Sequence, residues 1–212
     1  MLLLLHCGCK VNQYETNAMS QEFIEKGYEV VEHHEKADIY VINTCTVTNM
    51  SDRKSRQMLR RVKELNPNSI VIACGCYVQV AKDEVAKIED IDLILGNNEK
   101  KNIVEHLEQY QKDKKRQLEI EDLMQQREFV EFGDVTYTEK TRAVVKIQDG
   151  CDRFCSYCII PYARGRVRSR KIDSIIKEIE QIAKFSLYHK KIKDISLLNN
   201  AERMSVHEKE VS

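Results

Sequence analysis

Four short apolar runs recur through the first half of the chain: "LLLLH" (2–6), "ADIYVINT" (37–44), "SIVIAC" (69–74) and "DLILG" (92–96). Each is apolar along its length rather than at alternate positions, the pattern of strands covered on both faces. Stretches with helical periodicity separate them. This alternation restricts the chain to an α/β fold: a parallel sheet with helices on both faces, of Rossmann or flavodoxin-like type. Residues 15–26 read as a helix with Met19, Phe23 and Ile24 on one side and Gly27 at its C-terminal stop. A second helix over 51–65 buries Met58, Leu59, Val62 and Leu65, and Pro67 ends it. Further helices run to about Ile88 and to about Tyr110, and "YEVVEH" (28–33) reads as an edge strand. The opening "MLLLLHCGC" lacks the basic start of a signal peptide and reads as the first buried strand.

The sheet gives the cysteines a meaning. Cys9, Cys45 and Cys76 each lie just past the C-terminal end of an expected strand. In an open parallel sheet those ends share one edge, where ligands bind. Three cysteines far apart in sequence are therefore expected to converge. The competing reading is three buried core cysteines, but core residues have no reason to favour strand exits. Cys7 and Cys74 form C-x-C pairs with Cys9 and Cys76. Two residues apart on an extended segment, both thiols can point the same way; passive small residues at strand ends are the simpler reading.

Residues 111–128 are charged and lack a sustained apolar face, so they read as a solvated linker with some helical character. "TRAVVKIQDG" (141–150) is a new strand running into "CDRFCSYC" (151–158). A helix over 172–185 follows, with Asp173 or Ser174 as cap and Ile175, Ile176, Ile179, Ile182 and Ala183 as its buried stripe. Beyond Lys184 no βαβ rhythm is legible. The expected division is 1–110, a linker over 111–140, a first βα unit over 141–184, and a divergent tail over 185–212.

Thirty-four Lys and Arg balance thirty-four Asp and Glu, so overall charge argues for no nucleic-acid partner. A local argument exists. "RGRVRSRK" (164–171) holds five basic residues in eight, and Arg164, Arg166, Arg168 and Arg170 read as a phosphate-contacting stripe, against the alternative of a solvated loop. No run approaches the roughly 20 apolar residues of a membrane span, and a cytoplasmic protein without membrane contact is expected. In that compartment eight cysteines are thiols or metal ligands rather than disulfides. Asn12, Asn43 and Tyr162 are candidates to line the clefts; His33 and His34 read as surface residues.

Cys151, Cys155 and Cys158 follow C-x3-C-x2-C. A structural zinc site takes four Cys or His ligands, and none lies at suitable spacing nearby. Three thiolates suit a 4Fe–4S cluster with one iron open to a substrate or cofactor. This spacing after a strand, with an aromatic (Tyr157) before the third cysteine, resembles the hallmark of radical enzymes using S-adenosylmethionine (SAM).

"GCKVNQYET" (8–16), "NTCTVTNMSDRKSR" (43–56), "GCYVQ" (75–79) and "GCDRFCSYCIIPYARGRVRSR" (150–170) together resemble the radical-SAM methylthiotransferases. The "GCKVNQYE" form is similar to the branch acting on N6-threonylcarbamoyladenosine beside the tRNA anticodon. The resemblance covers residues 6–184 and implies a methylthiotransferase domain followed by the start of a partial TIM-like radical-SAM barrel. It implies two 4Fe–4S clusters: one on Cys151, Cys155 and Cys158, with Tyr157 alongside, which binds SAM and generates a 5′-deoxyadenosyl radical; one on Cys9, Cys45 and Cys76, which handles sulfur. It further implies insertion of a methylthio group at C2 of the adenine, with an electron donor and the tRNA anticodon stem-loop as partners. Family members continue well past residue 184, so the chain is expected to be an incomplete form. Catalytic acids or bases are not assigned. The alternatives are a zinc- or cluster-binding fragment without catalysis, or a relative acting on isopentenyladenosine in tRNA or on a ribosomal protein.

Overall fold

The computed structural model describes residues 1–31, 36–133, 142–189 and 194–198; His33 and His34 lie outside them. Six parallel strands form the main sheet: β1 (Leu2–His6), β2 (Val30–Val31), β3 (Ile39–Thr44), β4 (Ile70–Gly75), β5 (Leu93–Leu95) and β6 (Gln117–Glu119). Their order is β2-β1-β3-β4-β5-β6. The chain leaves β1 to one side and returns as β3 on the other. That reversal opens a crevice at the C-terminal ends of β1 and β3, where doubly wound folds bind ligands.

Helices cover both faces, as the apolar runs require. Leu3, Tyr40, Ile42, Val71, Ala73 and Ile94 face Leu59 and Val62 of α2 (Asn49–Leu65), with Tyr77 and Val78 of α3 (Cys76–Val80) and Val85 of α4 (Lys82–Ala86). The alternate residues Leu2, Ile39, Val41, Ile72, Cys74, Leu93 and Leu95 face Met19 and Phe23 of α1 (Lys10–Glu25) and Ile103 and Leu107 of α5 (Ile103–Asp113). Each fully buried large side chain contributes about 1.5–3 kcal/mol.

Several local expectations shift. The first helix begins five residues earlier than its periodicity indicates, because the Cys9 sulfur caps it by accepting from the Asn12 N–H. Leu65, expected in the core, is exposed at the last turn of α2. The expected helix reaching Ile88 is broken into α3 and α4. Residues 117–119, inside the charged stretch read as linker, form the sixth strand, beside β5; an edge strand with one face to water has no continuous apolar run to betray it.

The second unit begins with β7 (Arg142–Lys146), followed by an antiparallel pair, β8 (Gln148–Asp149) with β9 (Arg168–Ser169). Between the paired strands lie the 151–158 loop and α6 (Ile160–Arg164). Helix α7 (Ile172–His189) then leads to β10 (Asp194–Leu198), which pairs parallel to β7. A βαβ unit is thus present where the sequence showed no closing strand. On α7, Ile175, Ile179 and Ile182 pack inward, whereas Ile176 and Ala183, expected beside them, face solvent. Ala143, Val145 and Ile182 pack with Phe132 against Tyr14 and Ala18 of α1. Helix α1 is therefore clamped between the main sheet and the second unit.

A buried ionic network crosses the same boundary. Glu15, on α1, accepts two hydrogen bonds from Arg164, 2.6 Å from Nη1 to Oε1 and 3.1 Å from Nη2 to Oε2. Lys146 and Lys100 each donate to it at 2.7 Å. Asp149 accepts from Lys146 at 2.6 Å and from Arg164 Nη1 at 3.1 Å. Arg164 Nη2 also donates to Asn12 Oδ1 at 2.8 Å. Arg168 donates to the Arg164 carbonyl and to Asn98. Burial opposes the charge on Glu15, but Arg164, Lys100 and Lys146 hold its carboxyl well below the usual carboxylate range.

The basic run is thereby corrected. Arg164, Arg168 and Arg170 are 0%, 2% and 8% exposed. Arg170 pairs with Glu131 and Glu178. Burial this deep is tolerated only because internal carboxylates and carbonyls satisfy the guanidiniums, and phosphate cannot reach them. Arg166 alone of the four faces solvent, 3.6 Å from Asp152.

Two outcomes follow for urea denaturation. Arg164→Met removes the guanidinium shared by Glu15, Asp149 and Asn12, leaving those carboxylates to Lys100, Lys146 and Arg168, and is expected to cost about 3 kcal/mol, whereas Arg166→Met costs less than about 1 kcal/mol. Gly75 has φ +103° and ψ −173°, a region open in practice only to glycine, and a Cβ there would lie 2.3 Å from the Thr44 carbonyl oxygen. Gly75→Ala should cost about 3 kcal/mol or more, against about 0.5 kcal/mol or less for Leu65→Ala. Equal midpoints within either pair would contradict the packing described.

Candidate metal centre at the sheet edge

The crevice between β1 and β3 collects thiols. Cys9 caps α1, so its sulfur stands at the positive end of a 16-residue helix, which favours negative charge there. Cys45 follows β3 directly and is fully buried. Its backbone N–H donates to Ser55 Oγ at 3.2 Å, and that hydroxyl donates to the Cys45 carbonyl at 3.1 Å, pinning the residue to α2. Cys76 opens α3 after Gly75 and is also fully buried.

Cys45 lies beside both of the others. The Cys45 Sγ lies against the Gly8 backbone: a Cβ on Gly8 would sit 2.4 Å from it. A hydrogen bond with Cys9, burial, and the nearby Cys76 push the Cys45 thiol far above the usual thiol range. A cation beside the Cys45 sulfur would favour its thiolate. Such a donor set suits a soft metal group held by sulfur. Among the described residues, no three thiol, imidazole or carboxylate groups are gathered around a single point.

The neighbouring charge supports the same fit. Four buried cations, Lys100, Lys146, Arg164 and Arg168, meet only two carboxylates in their directly linked network among the described residues, Glu15 and Asp149. Lys146 also lies 5.4 Å from the ring centres of Phe129 and Phe132, which offset part of its charge. Burial disfavours the Arg164 cation, but Cys76, Glu15 and Asp149 hold it charged. A surplus of buried positive charge favours anionic sulfur beside it.

Asn12 organises the crevice. Its amide donates to the Cys7 and Thr44 carbonyls at 3.1 and 2.8 Å while its oxygen receives Arg164. Asn43 donates to the Asn12 carbonyl and to Thr16 Oγ1, both at 3.0 Å. Both asparagines, read from sequence as cleft residues, are fully buried supports. Cys7 and Cys74 diverge from their neighbours, because glycines with positive φ (Gly8, +93°; Gly75, +103°) turn the chain between each pair. The Cys7 thiol donates to Met58 Sδ at 3.1 Å. Cys74 packs in the core, and burial pushes its thiol up to about 12.

The 151–158 loop is held differently. Cys151 N–H donates to the Gly165 carbonyl at 3.0 Å, and Cys158 N–H to that of Cys155 at 2.9 Å. All three thiols are partly exposed. Tyr157 and Tyr162 project into solvent; Tyr162 meets Phe154 edge-on at 6.2 Å, and Arg166 lies 5.4 Å from the centre of the Phe154 ring. Sequence reasoning missed Asn97, whose amide nitrogen lies 3.7 Å from Cys76 Sγ and 2.6 Å from the Ala163 carbonyl oxygen. Its position after β5, at the same edge of the sheet, was the available signal. It also missed the acceptors Glu15 and Asp149. No helix among the described residues is long and apolar enough to cross a membrane.

Comparison with known proteins finds relatives of this chain. Residues 2–96 match the family described as uncharacterized protein family UPF0004. The threonylcarbamoyladenosine tRNA methylthiotransferase MtaB of Aquifex aeolicus is 43% identical over 83% of this chain and 43% of its own length. That of Bacillus subtilis is 42% identical over 82% and 39%. The tRNA-2-methylthio-N(6)-dimethylallyladenosine synthase of Clostridium tetani is 34% identical over 84% and 40%. The chain thus spans about two fifths of the length of these relatives. Among solved structures, the radical S-adenosylmethionine methyltransferase TsrM of Kitasatospora setae shares the fold, with TM-score 0.57 and 13% identity over 92% of this chain and 47% of that one. Over about four fifths of its length the chain is similar to the threonylcarbamoyladenosine tRNA methylthiotransferases, at higher identity than to the dimethylallyladenosine synthase.

Proposed function

We propose that this chain carries the cofactor-holding half of a tRNA methylthiotransferase that inserts a methylthio group at C2 of N6-threonylcarbamoyladenosine. The observation that supports this reading is the approach of Cys45 to Cys9 and to Cys76 at the C-terminal edge of the sheet. A second trio, Cys151, Cys155 and Cys158, is anchored to the same edge through α6. Each trio would hold a 4Fe–4S cluster. Those groups would supply the electron that cleaves SAM and the site from which sulfur is delivered.

The chain's own residues supply position and field. Asn12 and Ser55 fix the backbones of the first trio, and the Arg164 network gives it a positive surround. In this reading the partial exposure of Cys151, Cys155 and Cys158 would leave the group they hold accessible to SAM. Tyr157 stands at that entrance. With Arg164, Arg168 and Arg170 turned inward, RNA contact falls to Arg166 and the exposed aromatic residues beside it, which offer a charge and stacking faces. The higher identity to the threonylcarbamoyladenosine relatives than to the dimethylallyladenosine relative favours the former substrate.

Anaerobic reconstitution followed by iron and sulfide analysis tests the reading. About eight irons and as many sulfides per chain are expected, falling to about four in Cys9→Ala and in Cys155→Ala. A colourless protein holding zinc and no sulfide would establish instead a metal-binding module without redox chemistry.

A further inference from the structure

Asn97 stands between the two thiol trios. It follows β5, is 5% exposed, and its backbone N–H donates to Gln79 Oε1 at 3.0 Å. Gln79 in turn donates to the Glu121 carbonyl at 2.8 Å, so the residue is held from behind. Its side-chain amide can point only one way. The atom 2.6 Å from the Ala163 carbonyl oxygen must be the nitrogen, because an oxygen there would oppose another oxygen. One N–H is thus committed to Ala163, and the other faces Cys76 Sγ at 3.7 Å. The Asn97 Oδ1 is buried without a hydrogen-bond partner among the described residues. An amide left half-satisfied in this way is held for its donors.

Ala163 immediately precedes Arg164 in α6, the helix that follows the 151–158 loop. A single amide therefore touches the sulfur of one trio and the backbone that carries the other. Donation of N–H to a metal-bound sulfur withdraws electron density and eases reduction of the group it holds.

We propose that Asn97 is a positioning residue whose amide sets the reduction potential of the group on Cys9, Cys45 and Cys76 and ties that site to the second unit. This rests on the reading that the first trio holds an iron–sulfur cluster.

The test isolates each site. In the full chain carrying Cys151→Ala, Cys155→Ala and Cys158→Ala, only the first trio can hold iron, and its midpoint potential is read by optical titration with dithionite. Asn97→Ala is expected to make that cluster about tenfold harder to reduce, a fall of about 59 mV for one electron. Asn97→Asp keeps the shape, loses the donor and adds a negative charge, so it should lower the potential at least as far. In the reciprocal background, Cys9→Ala, Cys45→Ala and Cys76→Ala, Asn97→Ala should leave the remaining potential unchanged. Far-UV circular dichroism checks the fold of each variant, and Asn97→Asp supplies the measurement if the alanine variant does not fold. Iron present but a potential unmoved by either substitution would overturn the inference alone. No iron in the first background would overturn the cluster reading beneath it.

Discussion

The ion pair between Glu15 and Arg164 is the constraint on which the arrangement rests. Both groups are buried, and each would be costly alone. Lys100 offsets part of the cost of Glu15 within the sheet unit and Asp149 part of that of Arg164 within the second, and the pairing of the two is completed when α1 and α6 lie together. The same guanidinium reaches Asn12, whose amide holds the carbonyls at the exits of β1 and β3. Position of the thiol crevice and docking of the second unit are therefore one structural event. A buried charge pair that specifies geometry in this way is more informative about registry than about net stability.

Helix α1 explains why so few residues suffice. Its first turn carries Cys9 as cap and Asn12 as organiser, and its second carries Glu15 as counter-ion. One face packs Met19 and Phe23 on the sheet, and another packs Tyr14 and Ala18 on the second unit. The block "CGCKVNQYE" therefore encodes ligand candidate, scaffold and interface within a few helical turns.

Much of this was legible before any coordinates. The central strands announced themselves by runs of Leu, Ile and Val, and the glycine-flanked cysteines by their place at strand exits. What escaped had physical causes. The β6 segment is too short and too charged to show a pattern. The start of α1 was hidden because a sulfur, rather than Ser, Thr, Asp or Asn, caps it. The inward turn of Arg164 depends on a carboxylate 149 positions earlier in sequence, and no local reading of "RGRVRSR" contains that carboxylate. Asn97 offered only its place after β5: its partners Cys76 and Ala163 are not neighbours in sequence.

The two borders of the main sheet have their own consequence. One is a two-residue strand, Val30–Val31; the other is the three-residue strand Gln117–Glu119, preceded by Lys114, Lys115 and Arg116. Neither offers a long, flat row of unpaired N–H and C=O groups on which a stranger's strand could stack. A sheet whose interior is almost wholly aliphatic is thereby poorly suited to seed cross-β assembly, however strongly its central strands would favour it if unfolded.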